Sequence, residues 1–271
     1  VERLAEHCRS GWGEVEVHLH HGVDAPDTAD NTRRVLVEFR DALVGHGCLS
    51  RWDGRGPPRY AFVHGTWALA NSAGGRWCGV DEEMQILAGT GCYADLTLPS
   101  APDAAQVSKI NALYEPAGRL DRRAPHRRGR DLRVGRSPDR FPLILQGPLM
   151  IDFRRGLRPV IENAALTAAF PPTLARLWRW IGAGITVRGR PDWLFIKLHC
   201  HGMDPRDEPA MFGAPMRAFL AELETLARSE RYRLHFLTAR EMANVALAAC
   251  DGREGDPGQY RDYRLTPVLP G

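Results

Sequence analysis

Hydrophobic and polar residues alternate near the start of the chain and then take up a helical spacing. Val15, Val17 and Leu19 alternate with polar residues, which predicts a half-buried strand. A helix follows, because apolar residues recur at three- and four-residue intervals after a stretch that can cap a helix. Its apolar face contains Val35, Leu36, Phe39 and Leu43. A short helical pattern over Leu4–Cys8 precedes the strand, so the chain opens as helix, strand, loop and helix.

Strand-like and helix-like segments continue to alternate along the rest of the chain. Further predicted strands are "YAFVHG" (60–65), closing a hairpin around Asp53-Gly54, "CYADLTLPS" (92–100), "FPLILQGPLMIDF" (141–153), "DWLFIKLHCHG" (192–202) and "YRLHFLT" (232–238). Predicted helices are Asp81–Leu87, "PPTLARLWRWIGAG" (171–184), "APMRAFLAELETLARSE" (214–230) and "AREMANVALAAC" (239–250). This alternation predicts an α/β fold with mostly parallel strands, in which functional groups collect where the strands end.

Length and composition favour one soluble domain over 1–271. The chain has 271 residues, 44% of them hydrophobic, which is enough for a single substantial core. Neither a membrane span nor an export signal is recognisable. The six cysteines form no C-x-x-C pair, so we expect reduced thiols and a cytoplasmic location. Because the sequence begins with Val1, it is either a processed chain or a piece of a longer one.

Positive charge is concentrated in one segment. Residues 119–140 contain nine arginines and three aspartates, whereas the rest of the chain holds 27 basic and 30 acidic residues. The stretch at about 102–140 has no strong period, so we interpret it as an Arg-rich insertion. Without aromatic residues among the arginines, a solvated loop is favoured over a polyanion site, and nucleic acid is not an expected partner. The segment could also fold over an anionic substrate.

Histidines stand at the ends of three predicted strands. His18, His20 and His21 follow the first, His64 ends "YAFVH", and His199 and His201 belong to "WLFIKLHCH". Residues two apart on a strand point the same way, so each H-x-H pair can offer two imidazoles to one ion. Hydrogen-bonded structural histidines are the alternative. Zinc is the expected metal, with other divalent transition metals left open. Asp24 could complete the ligand set, and Asp152 is a candidate catalytic carboxylate.

These segments resemble the polysaccharide deacetylases, the NodB-homology group. The likeness is carried by "GEVEVHLHHG", by "WLFIKLHCHG" and by the closing "YRLHFLTAREM" unit. The resemblance implies a deformed (β/α) barrel that uses a divalent metal to remove acetyl groups from N-acetylated sugars. The aspartate-bearing first motif of that group is not in this sequence, so the general base is unassigned, and Gly22 stands where a second motif histidine would be.

The resemblance also implies roles for individual residues. His199 falls on the position of a catalytic acid, and the segment "FVHGTWALANS" takes the place of a substrate-facing motif. We therefore expect substrate contacts from His64, Trp67, Asn71 and His201.

Three functions follow from these expectations. The leading hypothesis is metal-dependent hydrolysis of an acyl group, most simply N-acetyl, on a sugar or polysaccharide. The alternative is a non-catalytic barrel that acts as a carbohydrate-binding or assembly component in surface-polysaccharide production. A third is polyanion binding through the arginines, with affinity that falls steeply with salt. The sugar, the bond type and the oligomeric state are not determined by the sequence.

Overall fold

A computed structural model of the protein describes residues 1–153, 159–229 and 232–267. Its helices are α1 (Glu2–Arg9), α2 (Ala29–Gly45), α3 (Glu83–Thr90), α4 (Leu174–Gly182), α5 (Glu208–Phe212), α6 (Ala214–Arg228) and α7 (Ala239–Cys250). Its strands are β1 (Val17–Leu19), β2 (Ser50–Trp52), β3 (Arg55–His64), β4 (Cys92–Asp95), β5 (Leu113–Pro116), β6 (Gly129–Asp131), β7 (Leu143–Leu145), β8 (Met150–Asp152), β9 (Val160–Glu162) and β10 (Leu265–Pro267).

One large mixed sheet organises the described part of the chain. Its strands run in the order β10-β2-β3-β4-β7-β5-β6, and β1 pairs with β3 beyond the end of β2. The strands β1, β3, β4 and β7 are mutually parallel, whereas β2, β5, β6 and β10 pair antiparallel. The predicted α/β class is confirmed, but the sheet is mixed and not mostly parallel, because antiparallel strands pair at both of its ends. The described strands do not close into a barrel, so the (β/α) barrel is not confirmed.

Helices cover both faces of this sheet. Tyr60 and Phe62 of β3 belong to a buried cluster with Leu36 of α2 and Met84 of α3. Ala61, which points to the opposite face, belongs to a second cluster containing several residues of α7. This arrangement follows from the alternation of side chains along a strand. A third cluster joins α4 and α6. In the residues that the structure describes, no helix combines the length and apolar character needed to cross a membrane.

Two predicted strands are absent as sheet elements. The segment 192–202 is extended, with Trp193, Phe195 and Lys197 buried alternately, but it forms only a single bridge, from His199 to Ala165. Its backbone hydrogen bonds go to isolated partners rather than along a ladder. The segment 232–238 likewise forms no strand. The strand prediction was wrong there because alternating burial reports an extended chain and says nothing about a pairing partner.

The Arg-rich segment is part of the sheet rather than a solvated loop. Both β5 and β6 lie within it, and β5 pairs with β7. Arg130 and Arg136 form ion pairs with the buried Glu115, and Arg123 donates to the carbonyl of Asn71. Several arginines therefore satisfy internal acceptors, which corrects the loop interpretation. All six cysteines are free thiols in the structure.

Candidate metal centre

The register of two short parallel strands brings the histidines together. In the β1–β3 pair, His18 lies opposite Val63 and Leu19 lies opposite His64. Since both strands are parallel, their carboxyl ends meet at one edge of the sheet. Side chains alternate along an extended chain, so His18 and His20 project to one side and His21 to the other. The three histidines consequently divide between two sites.

His18 and His20 form an exposed pair that we call the open histidine pair. Their Nε2 atoms are 3.0 Å apart, and the rings are nearly perpendicular. His18 Nδ1 lies 3.1 Å from the carbonyl oxygen of Val63, so this nitrogen carries the proton and donates it. That hydrogen bond leaves the Nε2 lone pair of His18 directed toward His20. This is the orientation that a carbonyl partner imposes on a metal-ligating imidazole.

The second H-x-H segment reaches the same edge through His201. Partial burial lowers the pKa of His18, and electrostatic interactions with His20 and His201 lower it further, so both rings lie within electrostatic range of His18. His201 is exposed, and its ring centroid is 6.0 Å from that of Trp67. His201 is thus a neighbour of Trp67 and lies within electrostatic range of His18.

A second group of ligand atoms lies on the inner side. We call His21, His64, Cys78 and Glu83 the buried cluster, because each is at most 7% exposed. One ligand atom from each lies within 4.8 Å of the others, and these four residues could hold a metal ion. The segments that supply them are the end of β1, the end of β3, the following loop and the start of α3.

Charges in the buried cluster are interdependent. Burial lowers the pKa of His21, but its hydrogen bond to Glu83 and the charge of that carboxylate outweigh burial and raise it. Burial would raise the pKa of Glu83, yet His64 and His21 bring it below its usual range. Burial lowers the pKa of His64 to about 4 and raises the pKa of the Cys78 thiol well above its usual range. Without an ion, the cluster therefore holds a neutral thiol and one charged imidazole–carboxylate pair.

The predicted metal ligand Asp24 and the predicted catalytic residues Asp152 and His199 lie in three different environments. Asp24 is exposed, and Asp27 instead contacts His21. Asp152 lies in β8 and pairs with Arg179 at 2.7 Å, so its carboxylate is occupied by an arginine. Burial lowers the pKa of His199 to about 3, so the ring is neutral at pH 7. A neutral imidazole accepts a proton before it can donate one, which changes the expected order of its proton transfers.

The four residues predicted to contact substrate also lie in different environments. His64 is 1% exposed within the buried cluster, so it presents no surface to a substrate. Asn71 is used internally, because its amide donates to Asp81 and its side-chain oxygen accepts from Gly75. Trp67 and His201 lie close to each other and both keep some exposed surface.

Sequence reasoning missed Cys78, Glu83 and Asp27. Glu83 lies in the first turn of α3 and looked like an ordinary acidic residue at a helix start. The available signal was the segment "CGVDEE", in which a cysteine and acidic residues stand close together shortly after His64. Asp27 was interpreted only as part of a helix-capping stretch.

Comparison of the chain with models of known protein families, with curated proteins and with solved structures gave no match. The geometry of the site is therefore the basis for the proposed function.

Proposed function

We propose that the protein is a metal-dependent hydrolase whose open histidine pair is the catalytic centre. The observation that carries the proposal is the convergence of His18 Nε2 and His20 Nε2 at 3.0 Å, with His18 Nδ1 anchored on a backbone carbonyl. Two imidazoles at an exposed strand end suit zinc, which we propose as the ion. A divalent ion held there would act as a Lewis acid and lower the pKa of water.

In this proposal Trp67 and His201 bind the substrate and His199 takes part in proton transfer. Trp67 offers an aromatic face beside His201, and such faces bind the apolar side of a sugar ring. We assign proton transfer to the departing amine to His199, whose pKa of about 3 leaves the ring neutral and only weakly basic at pH 7. An acyl group on a sugar, with N-acetyl first, is the proposed substrate because of the resemblance to polysaccharide deacetylases.

We also propose a deformed barrel fold of the deacetylase type and a cytoplasmic location. Four parallel strands and the extended segment 193–199 are compatible with a deformed barrel of the deacetylase type. Free thiols suit a reducing compartment such as the cytoplasm.

A non-catalytic carbohydrate-binding role is the second candidate. Among the residues described, no carboxylate forms a hydrogen bond with His18 or His20. A hydrolytic centre ordinarily needs a base near its water, so this feature favours binding without turnover.

The test compares wild-type protein with the double variant His18→Ala and His20→Ala. We expect the variant to lose one divalent ion per chain by elemental analysis and to lose hydrolysis of a panel of N- and O-acetylated glycans. His7→Ala removes an exposed histidine on α1 and serves as the matched control. Equal metal content in wild type and double variant would overturn the proposal. Glycan binding without hydrolysis by the wild type would favour the second candidate.

A further inference from the structure

The buried cluster has a donor set that the proposed hydrolysis does not use. It brings two imidazoles, a thiol and a carboxylate within 4.8 Å of one another, and solvent reaches none of them appreciably. Nitrogen and sulfur donors in a four-ligand group suit zinc and related transition metals, whereas magnesium and calcium take oxygen ligands.

His21 is oriented as a metal-ligating histidine would be. Its Nδ1 lies 3.1 Å from Asp27 Oδ2, and its Nε2 lies 2.7 Å from Glu83 Oε1. Asp27 is itself fixed, because Asn31 and Thr32 donate to its carboxylate. A carboxylate that accepts from one ring nitrogen sets the tautomer and directs the other nitrogen to the ion.

His64 supplies the independent observation that points to a ligand. Its Nε2 is buried, has no hydrogen-bond partner and lies 3.6 Å from Glu83 Oε1. The Thr66 hydroxyl donates to the carbonyl of Trp77 at 2.6 Å, so it can only accept at His64 Nδ1, which is 3.2 Å away. The Thr66 amide N–H donates to the same nitrogen from 3.2 Å, so Nδ1 is the acceptor and the metal-free ring carries its proton on Nε2. That buried N–H points into the cluster without a hydrogen-bond partner, and an ion bound at Nε2 would move the proton to Nδ1, beside the Thr66 hydroxyl oxygen.

Cys78 and Glu83 complete the set. The backbone N–H of Val80 points at Cys78 Sγ from 3.4 Å, a contact that a metal-bound thiolate would keep. The sulfur is 3.5 Å from Glu83 Oε2, and that oxygen also accepts from the Ala70 amide at 2.6 Å. The amide bond positions the carboxylate and leaves Oε1 facing the two imidazoles.

We propose that His21, His64, Cys78 and Glu83 bind one zinc-class ion in a closed, structural site that is separate from the open histidine pair. A thiolate and a carboxylate would neutralise the charge of a divalent ion, and binding would release two protons to solvent, one from the Cys78 thiol and one from Nε2 of the His21 imidazolium. The ion would tie β1, β3, the loop after β3 and α3 together. The metal-free alternative is a His21 imidazolium between Asp27 and Glu83, which leaves His64 Nε2 unsatisfied.

Cobalt(II) substitution tests this site directly. After removal of native metal from the purified protein, we expect cobalt(II) to give a thiolate-to-cobalt charge-transfer absorption in the wild type and a higher Tm than the metal-free form. Cys78→Ser should abolish the absorption. Cys200→Ser, which removes a half-buried thiol between two histidines, and Cys92→Ser, which removes a fully buried one, should retain it.

The outcomes separate this site from the proposed catalytic centre. The double variant His18→Ala and His20→Ala should keep the sulfur–cobalt absorption while losing one equivalent of metal. If the wild type shows no sulfur–cobalt absorption, the closed site is overturned, whether or not Cys78→Ser folds. If the absorption is lost in Cys200→Ser, the thiolate ligand is not Cys78. Hydrolysis that persists without the absorption would overturn only the closed site.

Discussion

Gly65 offers a selective way to disturb the open histidine pair. It follows β3, and a Cβ atom at this position would lie 2.4 Å from Cγ and 2.5 Å from Cδ2 of the His20 ring. The backbone at Gly65 lies outside the left-handed region, so alanine can adopt its conformation without strain. Gly65→Ala therefore acts on His20 by contact alone.

The size of the effect follows from these distances. Ordinary contact begins at 3.4 Å, so the ring must move by about 1 Å. Metal–ligand distances tolerate only about ±0.2 Å, so His20 would no longer share an ion with His18. We expect metal affinity at the open histidine pair to fall by at least about 10–100-fold, the range seen for lost orienting contacts. Because His20 is exposed, the ring can turn into solvent, and stability should change by less than about 1 kcal/mol.

The assay is zinc retention during dialysis against a weak chelator, followed by thermal unfolding of the same samples. Gly45→Ala is the matched control, because nothing lies within 4 Å of a Cβ placed there. We expect Gly65→Ala to lose one equivalent of metal and Gly45→Ala to lose none. If Gly65→Ala folds and binds both equivalents as tightly as the wild type, His20 is not a ligand and the reasoning is refuted.

Two further predictions concern carboxyl groups that belong to neither the open histidine pair nor the buried cluster. Burial raises the pKa of Glu16 to about 8 from 4.5, so the folded protein holds a proton that the unfolded chain releases, and stability falls as pH rises between these values. Glu16→Gln should remove that fall in urea unfolding across this window, and an unchanged slope would contradict the assignment. Arg176 donates to both oxygens of the buried Glu162, so Arg176→Met should cost about 3–5 kcal/mol. A loss below about 1 kcal/mol in the same assay would contradict this.

The central parallel strands could be predicted because each carries its own local signal. Periodicity identified β1 and the buried run in β3, and these two strands place His64 opposite Leu19. The segment 192–202 shows the limit of this approach, since its alternating burial is real but its hydrogen-bond partners are set by tertiary packing. A one-dimensional pattern contains no information about which neighbour is available.

The site was predictable only in part for a related reason. The spacing of His18 and His20 indicated that both rings share one side, and the structure places them so. The partners of His21 could not be inferred, because Glu83 is 62 positions away and becomes a neighbour only when the start of α3 reaches the segment that follows β1. For Cys78 the only distinguishing sequence feature is the group of acidic residues that follows it in "CGVDEE".

Because His20 and His21 are adjacent, the segment between β1 and His21 tolerates few insertions or deletions. A single peptide bond separates a ring of the open histidine pair from a ring of the buried cluster. Inserting or deleting one residue before His20 would exchange the faces to which the two rings point, and both groups would lose a member together. The length of this stretch is therefore constrained more tightly than the identity of the residues between the histidines.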